Sequence, residues 1–306
     1  MLKNSILIVG ATGFIGYHLA KKCLKLGWEV TSISSKAPKK KRFLHKVKYL
    51  IVDISNKNIL KKKLEKIKKK YNFIVNLGGY VDHSNTKKTY NSHYLGCKNI
   101  AETFKENNLT SFVQIGSSSE YGAKNSPQKE NSKCKPKSIY GKSKLLATSY
   151  LINLFKKKNF PVVILRLYQV YGPKQDFNRF IPIVINGCLN NQKFDCSEGK
   201  QYRDFLYIDD VVQAIIFSLK KKTALGEIIN IGSGRPKKIK VLIKKIKKLS
   251  RGGEPQYGKI KLRRDEILKI YPSISKASKI LKWRPKIKFE IGLRKTIDSY
   301  KYGIQE

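Results

Sequence analysis

Cysteine is sparse and scattered in this chain of 306 residues. The five cysteines (Cys23, Cys97, Cys134, Cys188 and Cys196) include no C-x-x-C pair. Nothing here suggests a disulfide framework, and the pattern reads as reduced thiols in a cytoplasmic protein. Histidine is scarcer still, with four residues and no ligand-like pair, so no metal is expected. Long apolar runs are missing as well. No stretch approaches the roughly 20 apolar residues of a membrane span, and the first apolar run is too short for a secretory signal core. Carboxylates are the last shortage: 21 Asp and Glu stand against 65 Lys and Arg, a formal net charge of +44.

Such a balance raises the question of a nucleic-acid partner. The lysines come in short runs, among them Lys61-Lys62-Lys63, Lys68-Lys69-Lys70, Lys156-Lys157-Lys158 and Lys220-Lys221-Lys222. They fall on the polar faces of helices, between apolar positions such as Leu60, Leu64 and Ile67, and are not gathered in one tail. No aromatic-lined nucleic-acid motif accompanies them. We therefore read a solvated surface and expect no nucleic-acid partner and no membrane association. A lysine-rich surface still raises the local concentration of anionic substrates and cofactors.

What the chain does contain is concentrated near its start, in Ser5-Ile-Leu-Ile-Val-Gly-Ala-Thr-Gly-Phe-Ile-Gly16. The run Ile6 to Val9 is too short for a helix and right for a strand buried on both faces. Gly10, Gly13 and Gly16 follow, and Ile15, Leu19, Cys23 and Leu26 then mark one stripe of a helix that Gly27 would cap. A glycine turn between buried strand and helix lets a pyrophosphate approach backbone N–H groups at the positive end of the helix. Glycine spacing alone is a weak signal; in this context it points to dinucleotide binding.

Further strands are predicted at 30–33, 47–52, 73–77, 112–115 and 162–167, with helices over 58–70, 86–106 and 138–158 between them. This alternation predicts an α/β fold with a doubly wound parallel sheet. Beyond Gly172-Pro173 it loosens. Helices are expected at 180–190, 209–220 and 241–249, strands at 205–208 and 228–231, and a tail of small helices. Residues 1–172 read as the dinucleotide-binding domain, with its sheet completed by parts of about 205–232. Residues 173–306 read mainly as a substrate-binding lobe.

At the end of the fifth strand stands Gly116-Ser-Ser-Ser-Glu-Tyr-Gly122, and the next helix opens with Ser138-Ile-Tyr140-Gly-Lys-Ser-Lys144. Tyr140 and Lys144 are one helical turn apart, so they project from one face. A lysine ammonium beside a phenol stabilises the phenolate, which suits Tyr140 to acid/base work near neutral pH. A serine at the mouth of the neighbouring strand would hydrogen-bond the same substrate oxygen. Tyr and Lys at this spacing are common, and serines often end strands. The glycine turn shifts the balance, because hydride transfer to a nicotinamide needs a proton moved from the same carbon's oxygen.

Taken together, Gly10-Ala-Thr-Gly-Phe-Ile-Gly16, Ser117 and Tyr140-x-x-x-Lys144 resemble the extended short-chain dehydrogenases/reductases, the NAD-dependent epimerase/dehydratase family. The resemblance runs nearly the full length, through Arg166 to Pro173, Arg203-Asp-Phe-Leu-Tyr-Ile-Asp-Asp210, Asn230 to Gly234 and Leu281 to Pro285. It implies a nucleotide-sugar substrate and a catalytic group of Ser117, Tyr140 and Lys144. The cofactor would meet Gly10, Thr12, Gly13, Phe14, Ile15, Gly16, Ser34, Ser35, Asp53, Ile54, Tyr140 and Lys144, with Asp53 near the adenine. The substrate would meet Ser117, Ser118, Gln169 and Arg203, the guanidinium suiting a diphosphate. A homodimer is the expected assembly.

Departures from the family pattern narrow the activity. Ser34, Ser35 and Lys36 stand where NAD-preferring members carry an acid for the ribose, so NADP is expected over NAD. Gln169 and His93 each stand where an asparagine is usual. Ser118 and Ser119 occupy the positions of the Asp-Glu pair that eliminates water in the 4,6-dehydratases. Asp82 or Glu120 would have to substitute, and Glu120 is expected on the other side of an extended chain. The reading is a nucleotide-sugar epimerase or 4-ketoreductase. The alternatives are a 4,6-dehydratase or a catalytically silent protein that senses dinucleotide, although a sensor has no need of the phenol.

Overall fold

Every residue of β1 (Ser5–Val9) is buried, as an apolar strand covered on both faces by helices must be. The structure, a computed structural model, describes residues 3–65, 70–80, 82–262 and 266–303. From β1 the chain turns into α1 (Phe14–Lys25), whose stripe of Leu19, Ala20 and Cys23 faces the core. Of these, burial of the Leu19 side chain contributes about 1.5–3 kcal/mol. Gly27, at φ +74°, ends the helix in the left-handed region that a side chain disfavours. Then follow β2 (Glu29–Ser34), β3 (Val47–Ile51), α2 (Lys57–Glu65) and β4 (Phe73–Asn76). The helix expected over 58–70 is seen as far as Glu65; residues 66–69 lie outside the described residues.

The long helix expected over 86–106 is broken in register. It comprises α3 (Thr86–Tyr90), a π-helical turn at Asn91–Leu95 and α4 (Gly96–Phe104). Beyond it come β5 (Ser111–Ser117), a 3-10 turn at Ser118–Glu120, α5 (Ile139–Lys158) and β6 (Val162–Leu167).

The second half contributes β7 (Gln169–Tyr171), α6 (Phe180–Leu189), β8 (Lys193–Cys196), β9 (Tyr202–Arg203), β10 (Phe205–Tyr207), α7 (Ile208–Lys220) and β11 (Ile228–Ile231). Then come β12 (Lys237–Lys238), α8 (Ile239–Ser250), β13 (Glu254–Tyr257), β14 (Lys269–Ile270) and α9 (Phe289–Lys301). The tail thus holds a helix of 13 residues and two short strands in place of small helices alone.

Seven strands form one parallel sheet in the order β11-β6-β5-β4-β1-β2-β3. Alternate side chains of β1 serve opposite faces. Ile6 and Ile8 pack in the cluster that holds Val211 and Ile215 of α7, whereas Leu7 and Val9 pack in the one that holds Ile100 of α4 and Leu151 of α5. Strand order reverses between β1 and β4. In a doubly wound sheet the crevice outside the carboxyl ends of the strands at that reversal is where ligands bind.

Candidate active site

The glycines after β1 shape that crevice. Gly10 has φ +87°, and its N–H donates to the Ile33 carbonyl at 2.7 Å, tying the turn to β2. A Cβ on Gly16 would lie 2.2 Å from the Gly10 carbonyl oxygen, so only glycine lets α1 start so close to the turn. Gly13 is the N-cap of α1, with no side-chain cap and no acid in the first turn. The Gly13 N–H donates to the Gly10 carbonyl at 3.0 Å, whereas the first N–H groups of α1, at Phe14, Ile15 and Gly16, have no acceptor one turn back in the helix, and a pyrophosphate fits that donor set.

The expected catalytic group collects across the crevice, on β5 and α5. Ser138 caps α5 by accepting from the Gly141 N–H at 3.1 Å. Gly141 lets the helix press on the 3-10 turn, since a Cβ there would sit 2.6 Å from the Ser119 carbonyl oxygen. Tyr140 is half-buried in the first turn. Lys144 is buried, its Nζ donating to the Ile115 carbonyl at 2.8 Å and lying 6.0 Å from the Tyr140 ring centroid. Ser117, at the mouth of β5, is buried, and its Oγ accepts from the Ser119 N–H at 3.1 Å. Tyrosine and lysine come from one helix and serine from the strand to which that lysine is bonded.

Two imidazoles frame the phenol, and only one drew attention in the sequence. His83 lies flat on Tyr140, with ring centroids 4.1 Å apart and planes 13° from parallel. His93, projected by the π turn, meets the same ring edge-on at 4.9 Å. Its Nε2 is 3.1 Å from the Tyr80 carbonyl, so that nitrogen carries the hydrogen, and its buried Nδ1 has no partner among the described residues. Burial, then the nearby Lys144 charge, lowers the His93 pKa to about 2. Burial, then Arg179 and Lys144, also pulls His83 below its usual value. Both rings are therefore neutral at pH 7. His83 follows β4 in an irregular segment with no periodicity to reveal it.

Glu120 is where sequence reasoning failed. The chain after Ser117 is a 3-10 turn and not an extended strand, so the side chain folds back beneath Ser117 instead of pointing away. It is fully buried against Arg166, with Nε 2.9 Å and Nη2 2.8 Å from Oε2. Asp82 is exposed and accepts from the Ser84 N–H and Oγ at 3.1 and 2.7 Å. Of the two carboxylates considered for water elimination, Glu120 is sealed off from any substrate.

The remaining expected residues are spread along the strand ends. Ser34 closes β2, its Oγ 3.4 Å from that of Ser32, and Ser35 and Lys36 follow exposed. Asp53 is exposed after β3 and accepts from the Ser55 N–H at 2.9 Å, while Ile54 is buried beside it. Half-buried Ser118 opens the 3-10 turn. Gln169 is exposed at the start of β7, its N–H donating to the Asp204 carbonyl at 3.1 Å. Arg203 on β9 is paired with Glu266 and also donates to the Tyr202 carbonyl at 2.9 Å. Among the described residues no His, Cys, Asp and Glu cluster suited to a metal occurs. No helix is long and apolar enough to cross a membrane among those residues.

Comparison with known proteins agrees with this architecture. A model of the NAD dependent epimerase/dehydratase family matches residues 6–232. A UDP-glucuronate 4-epimerase of Thermodesulfobacterium geofontis is 28% identical over 330 residues, which cover 98% of this chain and 97% of that protein. A dTDP-D-glucose 4,6-dehydratase of Dictyostelium discoideum is 31% identical over 254 residues, 75% of this chain and 58% of its own length. The crystal structure of a UDP-glucuronic acid 4-epimerase from Bacillus cereus, in complex with UDP-glucuronic acid and NAD, superposes with a TM-score of 0.87. That alignment is 28% identical and covers 98% of this chain and 100% of the other. With a glycine turn at the strand reversal and a match over most of its length, the chain is an enzyme of the NAD dependent epimerase/dehydratase family.

Proposed function

We propose that this enzyme moves hydride at C4 of a nucleotide-linked sugar, as an epimerase or a 4-ketoreductase. The observation that carries the reading is that Tyr140 and Lys144 share one face of α5 and Lys144 is hydrogen-bonded to β5, the strand that ends in Ser117 and lies two strands from the one that opens the glycine turn. Residues 1–172 would hold the dinucleotide, on a sheet that β11 completes, and residues 173–306 mainly the nucleotide sugar. The turn from Gly10 to Gly16 admits the pyrophosphate, and Asp53 and Ile54 flank the adenine. Ser34 and Ser35 put no carboxylate against a ribose 2′-phosphate, which favours NADP over NAD. A bound nicotinamide supplies the hydride acceptor or donor.

Tyr140 takes the proton of the C4 hydroxyl as that carbon's hydrogen leaves, or returns one to the carbonyl oxygen on reduction. Lys144 stabilises the phenolate by its charge. Ser117 Oγ hydrogen-bonds the same substrate oxygen, Ser118 and Gln169 line the sugar, and Arg203 turns from Glu266 to the diphosphate. Ser118 and Ser119 lack the acidity and basicity that water elimination demands near neutral pH. With Glu120 sealed, this favours epimerisation or reduction over 4,6-dehydration. We read the assembly as a homodimer acting in the cytoplasm, in keeping with five unpaired thiols.

The test is incubation with UDP-glucose, UDP-glucuronate and dTDP-glucose, each with both cofactors, followed by mass spectrometry and sugar analysis. A C4 epimer, or hydride exchange without loss of water, is expected. A dehydrated product formed over many turnovers would overturn the reading. Tyr140→Phe removes only the transferable proton, so it is expected to abolish turnover while cofactor affinity, measured by calorimetry, stays within about twofold, a difference of roughly 0.4 kcal/mol.

A further inference from the structure

Beneath Ser117 lies a buried carboxylate with four donors. Glu120 Oε1 accepts from the Ser117 N–H at 2.8 Å. Its Oε2 accepts from Thr148 Oγ1 at 2.9 Å and from Arg166 Nε and Nη2 at 2.9 and 2.8 Å. Glu120, Thr148 and Arg166 are almost completely buried. Gly116 has no side chain to obstruct the arrangement, since a Cβ there would meet Glu120 Oε1 at 2.5 Å.

These bonds join three elements at particular places. Ser117 ends β5. Thr148 is one helical turn beyond Lys144 and two beyond Tyr140, on the same stripe of α5. Arg166 is on β6, paired directly with Gly116 of β5. Lys144 binds the Ile115 carbonyl, so α5 is tied to β5 at two successive turns, once by the lysine and once through Glu120. A buried ion pair is a poor source of net stability, because desolvation cancels most of the attraction. What this one supplies is geometry: the serine and the helix bearing tyrosine and lysine hang from one carboxylate.

We infer that Glu120 and Thr148 are positioning residues that hold Ser117 in register with Tyr140. The inference rests on the reading of Ser117, Tyr140 and Lys144 as the catalytic group. Glu120 does not itself touch substrate, since both its oxygens are committed to protein donors and neither reaches the crevice.

Thr148→Val keeps the branched shape and removes only the hydroxyl donor, and Thr148→Ser keeps the donor. With UDP-glucose and NAD, or whichever pair of the panel turns over, kcat of Thr148→Val is expected to fall about tenfold, as small misplacements of reacting groups do. KM and cofactor affinity are expected to stay near wild type, and Thr148→Ser to restore kcat. In the substrate-free protein, exchange of the Ser117 amide hydrogen is expected to quicken in Thr148→Val and not in Thr148→Ser. Wild-type kcat in Thr148→Val would overturn the inference. So would a loss of kcat, cofactor affinity and melting temperature together in both variants, which marks a merely structural bond. Tyr140→Phe in parallel separates the two readings. If it stays active, the catalytic assignment fails; if it is dead while Thr148→Val is fully active, only the positioning role fails.

Discussion

The Tyr140 phenol is not an isolated side chain reached by one lysine. His83 covers one face, His93 touches its edge, and Lys144 lies on the stripe below. Offset-stacked and edge-to-face aromatic pairs contribute about 0.5–1.5 kcal/mol beyond buried area, enough to hold a ring in one orientation. If His83 acts through its face, His83→Phe is expected to keep kcat, and His83→Ala to lose roughly two- to thirteenfold, the kinetic equivalent of that energy. Steady-state kinetics of the two variants decides it. Equal losses would transfer the role to the ring nitrogens, and added imidazole should then rescue His83→Ala. The sequence made Ser117, Tyr140 and Lys144 legible because strand end and helix start lie in short, patterned segments. It hid His83 because nothing local places residue 83 over residue 140. Glu120 was misread because alternation along a strand was assumed where the chain already turns.

At the scale of elements, the π turn at Asn91–Leu95 is the most consequential feature that the sequence concealed. The apolar spacing over 86–106 is compatible with a plain helix, and one inserted residue changes which side chain faces the site. Here it delivers His93 into a buried position beside Lys144. The burial has a pH signature. In the unfolded chain His93 protonates near its ordinary value of 6.5, whereas in the folded protein it resists protonation until about pH 2. Its folded pKa is depressed, so below pH 6.5 the unfolded state binds the extra proton. Stability is then lost progressively as pH falls from 6.5 toward 2, at up to about 1.4 kcal/mol per pH unit. Urea unfolding of the wild type and of His93→Asn at pH 7 and pH 5 checks the sign: the wild type is expected to lose more on acidification. An equal loss in both would mean that the ring is solvated. Elements of the amino-terminal half were readable because buried parallel strands and capped helices leave continuous local patterns. Strands such as β14, two residues long and held by pairing to Tyr202 and Arg203, have no such pattern. Their partners, not their own sequence, make them strands.

For the molecule as a whole the governing quantity is charge. Basic residues close α5 (Lys156, Lys157, Lys158), α7 (Lys220) and α8 (Lys247, Lys248), where they favour the negative helix ends but also place like charges all over the surface. With 65 cationic side chains and 21 carboxylates, even complete pairing leaves 65 − 21 = 44 positive charges unopposed. Self-repulsion of that excess destabilises the compact state, and the same field draws anionic ligands toward the crevice. Salt acts on both at once, because the Debye length falls from about 30 Å at 0.01 M to about 10 Å at 0.1 M. Raising sodium chloride over that range is therefore expected to increase the melting temperature while it raises KM for an anionic nucleotide sugar and leaves kcat little changed. Calorimetric melting and steady-state kinetics on the same salt series measure the two responses. A melting temperature that falls with salt would mean that surface ion pairs outweigh the repulsion. A KM that ignores salt would mean that the excess charge lies too far from the crevice to steer substrate. Stability that rises with salt while affinity falls is the signature of a single long-range field, since local contacts at Arg203 or in the core give no reason for stability and affinity to respond in contrary directions.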